Sequence, residues 1–297
     1  MKKMKQRNRR GIAQLYSVPL RALFTFFCTG MVLLSACVEE VDPKNLALAE
    51  KKVVINSLIS PGDDFVKVEV SYSTPILGER LNSQGGDSDI IKDAQVKLSD
   101  GSQEMILSYD PMSEVYTNFD PDILIRPGKQ YFLEVTVGST TYTAQCRVPE
   151  KAADEITATA NNLLDGFRMK VSWQDIPNEE NYYWVSGNYS FEDGLSSTLS
   201  FYEEAFKSDA NRDGATISAD VEEYHTYYSN GEEQSVSYAE IQLLTTDENL
   251  YEYQKAVAAY DGGDNPFAEP IKVPSNIEGG LGIFAAYLSV KKEVLLE

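Results

Sequence analysis

From Lys51 to Arg147 apolar and polar positions alternate with a period of two, the pattern of half-buried strands. Val66, Val68, Val70 and Tyr72 fall on one side, and Lys67, Glu69 and Ser71 on the other. Ala94, Val96 and Leu98 alternate with Gln95 and Lys97, and Asp100-Gly101 marks a tight turn before Met105-Ile-Leu107. Pro127-Gly128 precedes Tyr131, Leu133, Val135 and Val137. Gly138-Ser139 then turns the chain into a strand whose apolar positions include Ala144, Cys146 and Val148. About seven short strands with turn signals predict an immunoglobulin- or fibronectin III-like β-sandwich. The Gly-, Ser- and Asp-rich stretch from Pro75 to Asp93 reads as a loop at one end of it.

Pro149 to Asp154 reads as a linker. Beyond it Phe167, Met169, Val171 and Trp173 alternate, and Asn181-Tyr-Tyr-Trp-Val185 starts another strand. Ile241-Gln-Leu-Leu244 is a strand leading into a helix near 246–260. Thr245 and Glu248 have capping-box spacing there, Leu250, Tyr253, Val257 and Tyr260 recur at helical intervals, and Gly262-Gly263 stops the run. Leu281–Tyr287 and Val290–Leu296 read as a closing strand pair. The expected fold is mainly β: a sandwich over 51–148, then a β-rich C-terminal domain over 149–297 with one helix.

The first 36 residues break this pattern. Lys2, Lys3, Lys5, Arg7, Arg9, Arg10 and Arg21 precede an apolar run from Ala22 to Leu34, which ends in Leu34-Ser-Ala-Cys37. A cationic stretch, a short apolar run and a small-residue cleavage site predict a secretory signal over 1–36. The run is too short for a membrane span, which needs roughly 20 apolar residues. The Leu-Ser-Ala-Cys ending resembles the bacterial lipobox, and that resemblance implies lipidation of the Cys37 thiol and cleavage before it. Residues 37–50 then read as an acidic tether carrying Glu39, Glu40 and Asp42.

Charge sharpens the picture. The leader holds seven of the 26 basic residues and none of the 46 acids, so the remainder carries 19 bases against 46 acids, a net −27. Such a field argues against nucleic acid and against docking on an anionic membrane surface. With Cys28 lost in the leader and Cys37 lipidated, only Cys146 of the three cysteines remains, which leaves no internal disulfide. Cys146 sits at an apolar position of its strand and reads as a buried strand residue.

Asp209, Asn211, Asp213 and Asp220 stand at loop positions 1, 3, 5 and 12, with Gly214 at position 6, close to an EF-hand-type calcium loop. The set departs from that pattern in ending on Asp, in placing Ile217 one position late and in lacking a good flanking helix. A plain Asp/Asn/Gly turn is the competing reading. Tyr182, Tyr183 and Trp184 form an aromatic cluster that could stack a sugar or a peptide, or simply fill a β protein. His225 is the single histidine, so no two-His metal site exists, and no Gly-x-Ser-x-Gly elbow appears. A glycosidase needs only two well-spaced carboxylates, and nothing in the sequence selects a pair.

Several segments taken together resemble one family. They are the lipobox, Tyr142-Thr-Ala-Gln-Cys-Arg-Val-Pro149, Asn181-Tyr-Tyr183, Leu250-Tyr-Glu-Tyr253, Asn265-Pro-Phe-Ala-Glu-Pro270 and Asn276-Ile-Glu-Gly-Gly-Leu-Gly-Ile-Phe284. This is similar to the domain-of-unknown-function 4249 family of Bacteroidota surface lipoproteins. The family has no established activity. The resemblance implies a surface-facing protein anchored in the outer membrane, an accessory to a TonB-dependent transporter. Read from the residues alone, Gly279, Gly280 and Gly282 form either a loop touching a ligand or a turn locking the last strand. The expectation is thus a non-enzymatic ligand-binding or interaction lipoprotein. The alternatives are a structural or adhesive module and a carboxylate-based hydrolase.

Overall fold

The computed structural model describes residues 51–73, 89–119, 123–163, 166–224, 228–229, 232–233, 236–260 and 271–296. The leader, Cys37, the acidic tether, most of the Pro75–Asp93 loop, His225, Gly262-Gly263 and the Asn265–Pro270 segment lie outside them.

Seven strands open the described chain: β1 (Val53–Ile59), β2 (Lys67–Tyr72), β3 (Gln95–Ser99), β4 (Glu104–Asp110), β5 (Val115–Thr117), β6 (Gln130–Val137) and β7 (Thr140–Arg147). Then come β8 (Asp154–Leu163), β9 (Gly166–Gln174), β10 (Tyr182–Phe191), β11 (Ser196–Thr198), β12 (Phe206–Ser208), β13 (Thr216–Tyr224), β14 (Tyr228–Ser229), β15 (Glu232–Glu233) and β16 (Val236–Thr246). The helix α1 (Glu248–Ala259) and a long last strand, β17 (Leu281–Leu295), complete the fold.

The largest sheet runs β11-β10-β16-β17-β1-β2-β5-β4-β3-β6-β7, with β12 on β10. Inward residues of β1 to β7 feed a single cluster, among them Ile55, Val68, Leu98, Met105, Tyr131 and Cys146, so this run of sheet encloses its own sandwich-like core. A separate sheet, β13-β9-β8, lays Phe167, Met169, Val171, Trp173 and Ile217 against Tyr183, Val185, Ile241 and Leu243 of β10 and β16. That is sheet-on-sheet packing, with period-two alternation supplying both inner faces.

β17 belongs to both cores. It runs parallel to β1, from Leu281 opposite Val54 to Ala286 opposite Ile59, and antiparallel to β16, from Tyr287 opposite Thr246 to Leu295 opposite Tyr238. The expected closing pair is therefore one continuous strand. Its first half is buried on both faces, since Phe284 and Ala286 point into the first core while Ile283 and Ala285 meet Leu250 of α1. A strand covered on both sides reads as a continuous apolar run rather than as alternation.

The helix begins two residues later than its capping-box pattern suggests. Asp247 is the N-cap, and its carboxylate accepts the Leu250 N–H at 2.9 Å. Thr245 stays in β16, where its hydroxyl accepts the Ala153 N–H at 3.0 Å. Among the described residues no helix is long and apolar enough to cross a membrane.

The Asn276–Phe284 segment is the joint between β17 and the first core. The Asn276 side chain donates to the Phe284 carbonyl at 2.7 Å and accepts the Phe284 N–H at 2.9 Å, copying a strand partner. Its amide also donates to the Gln145 carbonyl at 3.2 Å. Gly282, at φ +102°, lies so close to β1 that an added Cβ would overlap the Ile55 carbonyl oxygen and come within 2.8 Å of the Ile55 carbonyl carbon. The glycines thus serve close backbone approach rather than a ligand.

Candidate functional site

β10 splits the expected aromatic cluster by strand geometry. Tyr183 points inward and is fully buried, edge-on to Trp173 with ring centroids 5.4 Å apart. It therefore offers nothing to a ligand, a correction to its place among the candidate binding residues. Its hydroxyl donates to Asp175 Oδ1 at 2.6 Å, and burial first, then that bond, push its pKa well above the ordinary tyrosine range. Tyr182 and Trp184, one residue either side, face the opposite way. Tyr182 packs on Tyr251 of α1 at 5.1 Å, Trp184 stacks on Phe206 of β12 at 6.1 Å, and Phe206 meets Tyr251 edge-on at 6.2 Å.

This aromatic layer continues into a groove of about 1050 Å³ between α1, β13 and the 3₁₀ turn Tyr202–Ala205. Phe206 and Tyr251 line it, with Glu203, Glu204 and Asp220 contributing carboxylates and Lys255 lying 5.1 Å over the Tyr251 ring. Tyr202, also lining the groove, is 80% exposed and held at φ +49°. That left-handed conformation is strained for a non-glycine residue, and such outliers gather at functional sites.

The candidate calcium residues separate. Asp220 sits in β13, paired in register with Lys170, and contributes to the groove instead. The reason is local: the chain turns at Arg212–Ala215 and enters the β13 ladder at Thr216, so the twelve-residue loop is never formed. Asn211 adopts φ +65° at the tip of the turn. Asp209 and Asp213 do come together, and a third carboxylate that the sequence reading left unassigned joins them. One oxygen each of Asp175, Asp209 and Asp213 lies within 4.8 Å of the others.

Local structure explains the convergence. Asp175 follows β9 directly, and its N–H donates to the Ala215 carbonyl at 3.0 Å. Its Oδ2 accepts the Gly214 N–H at 2.7 Å. Asp213 Oδ1 accepts the Asn178 N–H at 2.7 Å, tying the turn to the loop after β9. The Asp209 N–H donates to the Asn181 carbonyl at 3.3 Å. Asp175 and Asp209 are buried and Asp213 is exposed. Carboxylate oxygens in this arrangement suit a hard cation. The only signal for Asp175 in the sequence is its place at the end of the Trp173 strand.

Cys146 faces the first core, as its alternation predicts, and burial raises its thiol pKa far above the reactive range.

No curated protein matches the chain. A solved structure titled "Complete structure of manganese lipoxygenase of Gaeumannomyces graminis and partial structure of zonadhesin of Komagataella pastoris" aligns at 14% identity over 66% of this chain and 88% of that one. Its TM-score is 0.17, too low to inform the fold. The family model described as "Domain of unknown function (DUF4249)" matches residues 38–293, nearly all of the chain beyond Cys37, and the protein belongs to that family.

Proposed function

We propose that the protein is a non-enzymatic outer-membrane lipoprotein of the cell surface. It is anchored through Cys37 and serves as an accessory ligand-binding or interaction subunit beside a TonB-dependent transporter. The lipobox and acidic tether support the anchoring. The observation that carries the binding role is the groove beside α1, where carboxylates of Glu203, Glu204 and Asp220 stand next to Phe206, Tyr251 and an exposed, strained Tyr202. Acids beside aromatic faces suit a ligand with a cationic group on an apolar body, through charge pairing and cation–π contact. A basic, aromatic-containing peptide segment has that chemistry.

The test is a mild-detergent pull-down of the full-length lipidated protein from its own outer membrane, with mass spectrometry of what accompanies it. A stoichiometric TonB-dependent barrel supports the role, and its recovery is expected to drop at least roughly tenfold with Tyr202→Ala plus Glu204→Gln, a loss of about 1.4 kcal/mol or more. A clean monomer, reproduced after crosslinking, refutes it.

The same groove favours a second reading, a carboxylate-based surface hydrolase, because it gathers acids against aromatic rings. That reading requires turnover of an oligosaccharide that Glu203→Gln or Glu204→Gln abolishes. Binding without turnover removes it.

A further inference from the structure

We infer that Asp175, Asp209 and Asp213 form a calcium site that fastens the Asp209–Gly214 turn to the end of β9. The proposal stands apart from the groove and from the question of a transporter partner.

Three carboxylates with oxygens within 4.8 Å would carry concentrated negative charge on their own, and crowded acids alone do not make a site. Asp209 supplies the second observation. It is only 5% exposed, and among the described residues its carboxylate accepts no hydrogen bond and meets no cation. Its two neighbours each have a donor: Gly214 N–H and the Tyr183 hydroxyl for Asp175, and Asn178 N–H for Asp213. The surrounding fold thus fixes two carboxylates by hydrogen bonds and sets a third, on a residue only 5% exposed, beside them with no donor or cation from the described residues upon it. A buried charge left in that state is strongly disfavoured unless it is paired or coordinates a metal.

The Asp100 turn shows how this protein treats an acid whose role is confined to its turn. There the carboxylate accepts the Ser102 and Gln103 N–H groups and the Ser102 hydroxyl, and Lys129 pairs with it. Among the described residues no lysine or arginine is placed that way at Asp209.

The donor set selects the ion. All three ligands are hard oxygens, with no histidine or thiol among them, which disfavours zinc and copper. Calcium ligands lie about 2.3–2.6 Å from the metal, so oxygens around one ion lie up to roughly 5.2 Å apart, and three oxygens all within 4.8 Å of one another can share it. Magnesium, at about 2.0–2.1 Å, demands a tighter octahedron. The exposed side of the site, at Asp213, leaves room for water to complete a coordination of six to eight.

The test uses the full-length chain in mild detergent, stripped with a chelator and titrated with calcium by calorimetry and thermal melting. One calcium per chain is expected, with Kd in the range of roughly 10⁻⁴–10⁻³ M common to extracellular modules. The melting temperature is expected to rise with calcium well beyond the rise given by magnesium or by matched ionic strength. Asp213→Asn, at an exposed position that keeps an oxygen for Asn178, is expected to weaken calcium binding at least tenfold while leaving the fold intact. Asp209→Asn should melt higher than wild type without calcium and lose the calcium-dependent shift. Asp110→Asn, in a turn whose carboxylate accepts the Met112 and Ser113 N–H groups and the Ser113 hydroxyl, should bind calcium as wild type does. Absence of binding to wild type overturns the proposal, as does calcium binding by Asp209→Asn and Asp213→Asn that equals that of wild type. Neither result bears on the pull-down, so the site and the transporter role fail separately.

Discussion

Two segments rich in Gly, Asn and Asp, Asn276–Phe284 and Asp209–Gly214, both look from their composition like ligand loops. In the first, the Asn276 amide is tied into the Phe284 and Gln145 backbone, and Gly282 brings β17 directly against Ile55. In the second, turn hydrogen bonds are also made, yet among the described residues the carboxylate of largely buried Asp209 has no donor and faces two more of its own charge. Glycine and asparagine mark where the backbone does something unusual. What separates a closed joint from a receptive site is whether the polar side chains find partners within the fold.

The largest effect should come from breaking the closed joint. Gly282→Ala places a methyl group into the Ile55 carbonyl at a left-handed φ, and β17 must separate from β1 to relieve it. A loss of more than about 4 kcal/mol is expected in urea denaturation, in the exceptional range that severe steric conflict reaches. Gly138→Ala is the control, because φ is +59° there but nothing lies within 4 Å of the added Cβ, and about 1 kcal/mol is expected. Similar losses for the two would show that β17 can move aside and that the joint is not closed.

A second buried acid sharpens the contrast by pH. Asp247 accepts the Leu250 and Ala286 N–H groups, yet burial outweighs these bonds and raises its pKa from 3.8 to about 7. Between those values the folded chain keeps a proton that the unfolded chain has released. Stability is therefore full below about pH 4, falls as pH rises towards 7, and levels off above, with a slope of up to about 1.4 kcal/mol per pH unit. Asp247→Asn keeps an N-cap acceptor and should flatten that limb in denaturation curves from pH 4 to 8. Persistence of the slope in the variant would assign it to other groups. Asn276→Ala follows in size. It strips the Phe284 N–H and carbonyl of their side-chain partner, an expected loss of about 1–3 kcal/mol by urea denaturation. A change below about 0.5 kcal/mol would mean that water replaces the amide without loss.

Period-two alternation made β2, β3, β4, β6, β7, β9 and the start of β10 legible, because each of these strands buries one face. It failed at β17, where Leu281–Ala286 is covered on one side by the first core and on the other by Leu250 of α1. Capping-box spacing at Thr245 and Glu248 pointed to the right helix but the wrong cap, since Thr245 is held in β16 by the Ala153 N–H. At the acidic turn, local spacing found Asp209 and Asp213 and added Asp220, which the β13 ladder carries away. Asp175 was not legible as a partner because the contact is made by tertiary structure, through Ala215 and Gly214, and no local spacing encodes it. The aromatic run at Tyr182–Trp184 was found as a cluster but not as two faces, although the same alternation that built the strand divides it.

The smallest expected effect concerns Tyr202, which extends the comparison to backbone strain. Gly282 adopts its positive φ without penalty and serves packing, whereas Tyr202 adopts φ +49° with a bulky side chain that is 80% exposed. Little burial offsets that strain, so Tyr202→Asn, a residue that tolerates the left-handed region, should leave stability unchanged or raise it by about 0.5–1 kcal/mol in urea denaturation. The same substitution removes a ring from the groove and should weaken recovery of the partner in the pull-down. Gain of stability with loss of binding would mean that the strain is maintained for recognition, the usual opposition between stability and function at a binding surface. A loss of stability above about 1 kcal/mol would instead make the Tyr202 ring a packing element, and the groove would then need another residue to carry its specificity.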